Sequence, residues 1–388
     1  MTQSSVSEAR WGILRSALLG EECSGDNKEA SIHRFAGWNL LKKKRAAPLD
    51  QSVEFSCHDA HAILARQCLF GDKESMSVTC SVLMSDAEIK KLREQLGRQG
   101  ILAKHPDEHR VMEVKWSYCP HVGMEYSLDD STTLFARERK PRRRVTVREL
   151  LSHDLHQGVD NTGQTCVWDS ESTLTHCLLN KESGLYKSLP ILSQLSSKHN
   201  VIELGVGMVG IAGLALAKVA PVNVLLTDGH PDAVENNNIN IRMNTLLGNV
   251  LCERLLWSTD IQVHQEEADL LLCSDCTHFQ EHHAGLLITL GNLLKIGGTA
   301  ILCQPPRAKS LDRFLNICDS ISRLWEVKVV SEPSLELLHQ ESLRDSSYDP
   351  NLHCPCIVLL TKLRGLRAED RQLARELQLA RELQERRV

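Results

Sequence analysis

The chain is poor in aromatic residues, which make up 4% of its 388 positions. It also lacks any apolar run close to the roughly 20 residues that a membrane-spanning helix needs. Its better runs, such as Gly285 to Leu294, fall well short. No basic segment leads into an apolar block between Met1 and Leu19, so no secretory signal is expected there. Positive charge is not in excess: the formal net charge is −5, which excludes a strongly basic nucleic-acid coat as the whole of the molecule. The 14 cysteines include no pair of C-x-x-C knuckles at structural zinc spacing. The groups around Cys273, Cys276, His278, His282 and His283, and around His353-Cys-Pro-Cys356, are therefore not expected to hold a metal.

What is present is a globular composition, 42% apolar and 24% charged. The length is a prior for two or three domains. Charge is uneven, with a net of +3 over residues 1–150 and −8 over the remainder. Cysteines such as Cys252, Cys273 and Cys303 sit inside apolar, strand-like runs. Free buried thiols of that kind suit a reducing compartment better than a disulfide framework. The expected location is the cytoplasm, with the nucleus as a further site, and no membrane association.

The middle and end of the chain alternate between two periodicities. Strands are expected at Val201–Leu204, Val222–Thr227, Glu253–Trp257, Leu270–Ser274, Thr299–Gln304, Val327–Ser331 and Cys356–Thr361. Helices are expected at Ile211–Val219, Pro231–Asn244, Glu281–Leu294 and Leu311–Leu324. Such alternation predicts an α/β fold, a Rossmann-like sheet of seven strands with helices on both faces. The last two strands are joined by a long polar connection, 332–354, with no clear helical period. One of them is expected to run antiparallel.

The first 150 residues read as an N-terminal α+β extension. Trp11, Leu14 and Leu18 have helical spacing. Residues 50–110 look like an insertion, with a capping box at Ser85-Asp-Ala-Glu88 opening a helix that stops near Gly97. Residues 111–150 read as short strands. Two basic runs, 42–45 and 137–144, are expected as solvated loops. The main domain is placed at 151–363. The tail, 364–388, repeats Leu-Ala-Arg-Glu-Leu-Gln with a period of six, which matches no coiled-coil seam and predicts a solvated or loosely docked charged helix.

The best local signal is Val201-Ile-Glu-Leu-Gly-Val-Gly-Met-Val-Gly210, a G-x-G-x-x-G turn after a strand and before a helix. Its glycines permit a tight turn and close backbone approach to a ligand. A dinucleotide and S-adenosyl-L-methionine both use such a turn, and Asp228 at the end of the next strand suits the ribose of either. Glu203, inside the strand ahead of the glycines, suits a cofactor bearing an amino acid and would repel a pyrophosphate. Trp257 and Ser274-Asp275 fall where ligands bind in open α/β sheets, beyond strand carboxyl ends.

Taken together, Glu203-Leu-Gly-x-Gly, Thr227-Asp228-Gly229, Leu256-Trp257 and Ser274-Asp275-Cys-Thr resemble the seven-strand class I methyltransferases that modify protein lysines. Further motifs resemble the calmodulin-lysine methyltransferases among them. These are Ala9-Arg10-Trp11, Arg34-Phe35-x-x-Trp38-Asn39-Leu40, Asp160-Asn161-Thr162-Gly163, Val167-Trp168-x-Ser170-Glu171, Pro306-Arg307 with Ser310-Leu311, and Asn351-Leu-His353. The resemblance covers about residues 8–45 and 112–363. It implies S-adenosyl-L-methionine as cofactor and calmodulin as protein substrate. It implies that Trp168 packs on the cofactor, that Glu203, Gly205 and Gly207 form the methionine side of its pocket, that Asp228 takes the ribose, and that Trp257 lies near the adenine. Ser274 and Asp275 would line the space between cofactor and incoming lysine. Two positions depart from the family: Asp169 stands where proline is usual, and the acidic-x-x-aromatic element reads Asp275-Cys-Thr-His278. Asp275 is the expected partner of the entering ammonium, and His278 a candidate proton acceptor by its ordinary pKa near 6.5. A nucleic-acid or free-glutamine methyltransferase would carry Pro-Pro and an aromatic after the fourth strand. Here the Gln304-Pro-Pro-Arg307 string comes one strand too late.

Overall fold

The computed structural model describes residues 37–46, 76–81, 90, 94, 101–103, 111–116, 121–139, 163, 166–260, 263–278, 280–321 and 323–385. The expected helix near Trp11 lies outside them. The expected helix after Ser85 is described only at Lys90 and Glu94, both helical.

The N-terminal part contributes β1 (Lys43–Arg45), β2 (Met76–Ser81), β3 (Ile101–Ala103), β4 (Val111–Trp116), β5 (His121–Ser127) and β6 (Thr133–Arg139). They form two small antiparallel sheets, β2-β4-β3 and β1-β5-β6. The β5–β6 hairpin is closed by Asp129, whose carboxylate accepts the N–H groups of Ser131 and Thr132. Those bonds hold the exposed carboxyl down at about 2.

The main sheet begins after helices α1 (Asp169–Leu179) and α2 (Gly184–Ser188). Its elements in chain order are β7 (Asn200–Leu204), α3 (Ile211–Val219), β8 (Asn223–Asp228), α4 (Pro231–Arg242), β9 (Asn249–Arg254), β10 (Ala268–Ser274), α5 (His283–Leu293), β11 (Leu294–Gln304), α6 (Ser310–Ser320), β12 (Trp325–Val330), α7 (Pro333–Ser342), α8 (Pro350–His353), β13 (Cys356–Lys362) and α9 (Ala368–Glu385). The strand order is β12-β13-β11-β10-β7-β8-β9, and only β13 runs against the rest. The expected Rossmann-like sheet is present, with its antiparallel member second from one edge. Strand order reverses between β7 and β10, the switch point where open α/β sheets bind ligands.

Two apolar layers cover the sheet. One gathers Leu174 and Leu178 of α1, Ile211 and Leu214 of α3, and Tyr126, Leu134 and Ala136 of the β5–β6 hairpin. The other gathers Leu286 and Leu290 of α5, Phe314 and Ile317 of α6, and Ala374 of α9. The hairpin and the large sheet thus share one core.

Five expectations need correction. The third strand lies at Asn249–Arg254, not Glu253–Trp257. Gly248 starts it early, in a turn where Asn249 N–H donates to the Val222 carbonyl (3.1 Å). This is an edge strand, and its alternation of buried Val250 with exposed Leu251 hid it. The connection 332–354 is partly helical (α7, α8), because Pro333 and Pro350 sit in first turns and Asp349 caps α8. The run at 137–144 is not a loop at its start: Arg137 lies in β6 and is buried. Residues 140–144 lie outside the described residues. The run 42–45 contains β1, whose lysines pair with Glu138 and Glu125. Finally, the tail helix is docked. Leu366, Asp370, Leu373, Ala374 and Leu377 form a stripe at helical spacing that the six-residue repeat cuts across, and all are at least half-buried.

Candidate cofactor and acceptor site

The glycine turn joins β7 to α3 at the switch point. Gly205 and Gly207 have φ of +64° and +56°, a conformation that L side chains rarely adopt. Space demands glycine as well. A Cβ on Gly207 would meet the Gly163 carbonyl oxygen at 2.8 Å, and one on Gly205 would lie 3.0 Å from Trp257 Cζ2. Trp257, in the loop after β9, therefore forms one wall of the turn. Asp228 ends β8 and braces the turn from below: Oδ2 accepts Gly207 N–H (2.8 Å) and Oδ1 accepts His230 N–H (2.7 Å).

Glu203 is buried beneath the first turn of α3. Its Oε2 accepts Gly213 N–H (2.7 Å), and its Oε1 has no hydrogen-bond partner. Beside it lies Glu171 of α1, whose Oε1 accepts Ala212 N–H (2.8 Å). The two carboxyls are fully buried against each other. Desolvation, with the neighbouring carboxyl behind it, pushes Glu203 well up; desolvation also raises Glu171, although hydrogen bonds oppose it. The buried Ser274 hydroxyl has no geometric hydrogen-bond partner either.

Helix α4 presents an asparagine face to the same turn. Asn237 accepts Gly210 N–H (2.9 Å) and donates to the Gly207 carbonyl (3.0 Å). Asn236 donates to the carbonyls of Met208 (2.7 Å) and Arg137 (2.9 Å). Asn240 and Asn244 continue the contact along β6, accepting the N–H groups of Arg137 and Phe135 at 2.8 Å each. The N-terminal hairpin is thereby stitched to the glycine turn.

The acceptor side lies beyond β10 and β11. Asp275 has a φ of +58°, and Arg307, Ala308 and Lys309 follow β11 with φ of +49°, +52° and +69°. Four non-glycine residues in the left-handed region, clustered at strand ends, store backbone strain there. A buried ion pair joins the two segments: Arg307 Nε donates to Asp275 Oδ1 (3.1 Å) and its terminal nitrogen to Oδ2. The Arg307 guanidinium also lies over the Trp168 ring, 5.4 Å from its centroid, while the Arg307 backbone N–H donates to the Asn351 carbonyl (3.0 Å). Burial and the Arg307 charge hold His353 below its ordinary value. Beneath Asp275, Thr277 is fixed by Gln304 and by Ser310, and His283 Nε2 lies 3.0 Å from the Thr277 carbonyl. His278 is half-buried at this rim.

The structure thus brings Glu203, Gly205, Gly207, Asp228 and Trp257 around the turn. Ser274 and Asp275 follow at the neighbouring strand end. Trp168 stands against Arg307, joining the two groups. Sequence reasoning gave no role to Arg307, Glu171 or the asparagine face. The first two lay within quoted motifs. The asparagines at 236, 237, 240 and 244 carried a usable signal, polar side chains recurring on one helical face.

Residues 151–321 match a family model described as lysine methyltransferase. Over those residues the chain is similar to lysine methyltransferase domains. Calmodulin-lysine N-methyltransferase of Arabidopsis thaliana is 29% identical over 215 residues, 52% of this chain and 66% of that protein. Protein N-terminal and lysine N-methyltransferase EFM7 of Candida glabrata is 28% identical over 149 residues, 35% of this chain and 57% of that protein. The match therefore spans just under two thirds of the first relative's length and less of the second. Among solved structures, P. horikoshii TYW2 in complex with MeSAdo is 11% identical, with 54% of this chain and 70% of that chain covered and a TM-score of 0.35. The fold rests on the strand order of the seven-stranded sheet.

The cofactor of such a domain is S-adenosyl-L-methionine. The residues present fit it. The turn has a cradle that a Cβ would fill, an orphaned buried carboxylate oxygen on Glu203, and the Asp228 carboxylate against the Gly207 N–H. Among the described residues no cluster of metal-ligating side chains occurs.

Proposed function

We propose that this chain is an S-adenosyl-L-methionine-dependent protein-lysine N-methyltransferase, and that its acceptor is a lysine of calmodulin, carried to the trimethylated state. The observation that carries the reading is the placement of the Gly205–Gly207 turn, backed by Asp228, one strand from the Asp275–Arg307 pair. The cofactor supplies an activated methyl group on a sulfonium. The protein's part is positioning and electrostatics. Gly205 and Gly207 let the backbone approach the cofactor, Asp228 offers acceptors to the ribose, and Trp257 and Trp168 border it.

The acceptor amine must be neutral to react, although a free lysine has a pKa of about 10.4. Loss of water around it lowers that value. Arg307 occupies both oxygens of Asp275, so the pair carries no net charge and Asp275 acts as an oriented wall more than as a free carboxylate. His278 lies at the rim, where a proton could pass to water. Calmodulin as the substrate is supported by the similarity to the calmodulin-lysine N-methyltransferase of Arabidopsis and by the family motifs along the chain.

The test is methyl transfer from labelled S-adenosyl-L-methionine to unmethylated calmodulin, with Asp228→Ala as control and intact mass to count methyl groups. A gain of three methyl groups on one lysine, lost in the control, is expected. Cofactor binding without transfer to calmodulin would move the substrate to another protein or to nucleic acid. Absence of cofactor binding would overturn the reading.

A further inference from the structure

The C-terminal helix lies beyond residue 321, where the family match stops, yet it reaches the loop that carries Trp257. Its inner stripe is seated on α5: Ala374 is fully buried, and Leu366, Leu373 and Leu377 pack into the same apolar layer. Its start is fixed by Asp370, which accepts both terminal nitrogens of Arg364 (2.6 and 2.8 Å) and the Arg367 N–H (2.8 Å). From this seat two arginines extend sideways. Arg371 donates to the Thr259 carbonyl (3.0 Å) and to Asn292 Oδ1 (3.2 Å). Arg375 donates to the Thr259 carbonyl (3.5 Å) and pairs with Asp260.

Thr259 and Asp260 are two and three residues past Trp257. The intervening Ser258 donates its N–H to Thr289 Oγ1 of α5 (3.2 Å), and Asp260 N–H donates to Ser258 Oγ (3.1 Å). Gly285 of α5 lets the Trp257 carbonyl approach, since a Cβ there would sit 3.0 Å from it. The ring itself closes on Gly205. Contact therefore runs without a gap from α9, through 258–260, to the wall of the glycine turn.

We infer that α9 is a brace for the cofactor pocket, with Arg371 and Arg375 as positioning residues that hold the Trp257 loop closed on the adenine side of S-adenosyl-L-methionine. The inference rests on the cofactor reading above. A loop already held in its bound shape loses less freedom when the ligand arrives, so the brace acts on cofactor affinity and not on the transfer step. The two arginines serve this purpose better than the apolar stripe does, because the stripe secures the helix while the arginines hydrogen-bond to the loop.

The test is titration of the full chain with S-adenosylhomocysteine, comparing wild type with the double variant Arg371→Ala/Arg375→Ala. The expected result is a Kd raised about tenfold, with KM for the protein acceptor and kcat at saturating cofactor unchanged. The double Lys variant keeps the charge opposite Asp260 and should recover about half of that loss on a logarithmic scale. Should the Ala variant fail to fold, Asp260→Ala loosens the same contact from the loop side and should raise Kd about threefold. Wild type that binds, with variants that bind equally well, overturns the brace alone. Variants that lose acceptor affinity in equal measure also overturn it. Wild type that does not bind overturns the brace and the cofactor reading together.

Discussion

The two ends of the candidate site are held by different forces. Around the glycine turn, position is fixed by hydrogen bonds between backbone and carboxylate or amide: Asp228 to Gly207, Asn237 to Gly207 and Gly210, and Glu203 to Gly213. On the acceptor side, position is fixed by a buried ion pair, a cation over an indole, and a run of left-handed residues. The first arrangement is built from backbone N–H groups closed on side-chain oxygens. The second depends on one residue, Arg307, whose guanidinium holds Asp275 and Trp168 and whose backbone N–H holds Asn351.

The largest effect should come from breaking the cradle. Gly207→Ala places a Cβ against the Gly163 carbonyl and forces a strained φ, and should weaken S-adenosylhomocysteine binding by about 100-fold or more in calorimetry. Gly297→Ala is the control. It shares a positive φ, +84°, but nothing lies within 4 Å, so binding should not change.

Breaking the other end should separate the two. Arg307→Met should lower kcat/KM for the protein acceptor by roughly 30- to 100-fold, about 2–3 kcal/mol, while the cofactor Kd stays within about threefold. Arg307→Lys keeps the charge but not the fork, and should recover only part of the loss. A parallel fall in cofactor binding would erase the distinction between the ends.

Asn237→Ala tests whether the amide face is structural. It strands Gly210 N–H and the Gly207 carbonyl, and chemical denaturation should show a loss of about 1–3 kcal/mol. The smallest effect concerns the buried carboxyl pair. Because burial raises both groups, the folded protein holds more protons than the unfolded chain above the ordinary carboxyl range, so stability falls as pH rises there. Glu171→Gln keeps an acceptor for Ala212 N–H and removes one charge. Its Tm should exceed wild type by about 3 °C at pH 8, with the gain shrinking below pH 4, where both carboxyls are protonated in either state.

The same contrast explains what could be read in advance. The cradle is local in sequence: a strand, three glycines and a helix in a row, with an acid at the next strand end, so Glu203, Gly205, Gly207 and Asp228 were legible as a set. The helix Ile211–Val219 has the bounds expected, and six strands fall within a few residues of their expected places. The acceptor side is assembled from distant segments, Trp168, Asp275, Arg307 and Asn351, and no periodicity announces that Arg307 turns back on Asp275. Left-handed backbone at Arg307, Ala308 and Lys309 carries no glycine or asparagine to signal it. Strand β9 and the docked stripe of α9 were missed for another reason. Each buries only part of its surface, and a half-buried pattern is easily masked by neighbouring charges.

The free cysteines give the molecule an internal clock. Cys177, Cys273, Cys276, Cys303 and Cys318 are all buried, and burial pushes the thiols of Cys177, Cys303 and Cys318 up. At Cys276, Cys273 is the larger cause. Such sulfurs are closed to alkylating reagents while the sheet stays packed. Each therefore reports, by the time it takes to be labelled, how often its own part of the core opens. Cys303 on β11 and Cys318 on α6 sit in opposite layers of the sheet, so the two layers can be timed separately in one native sample.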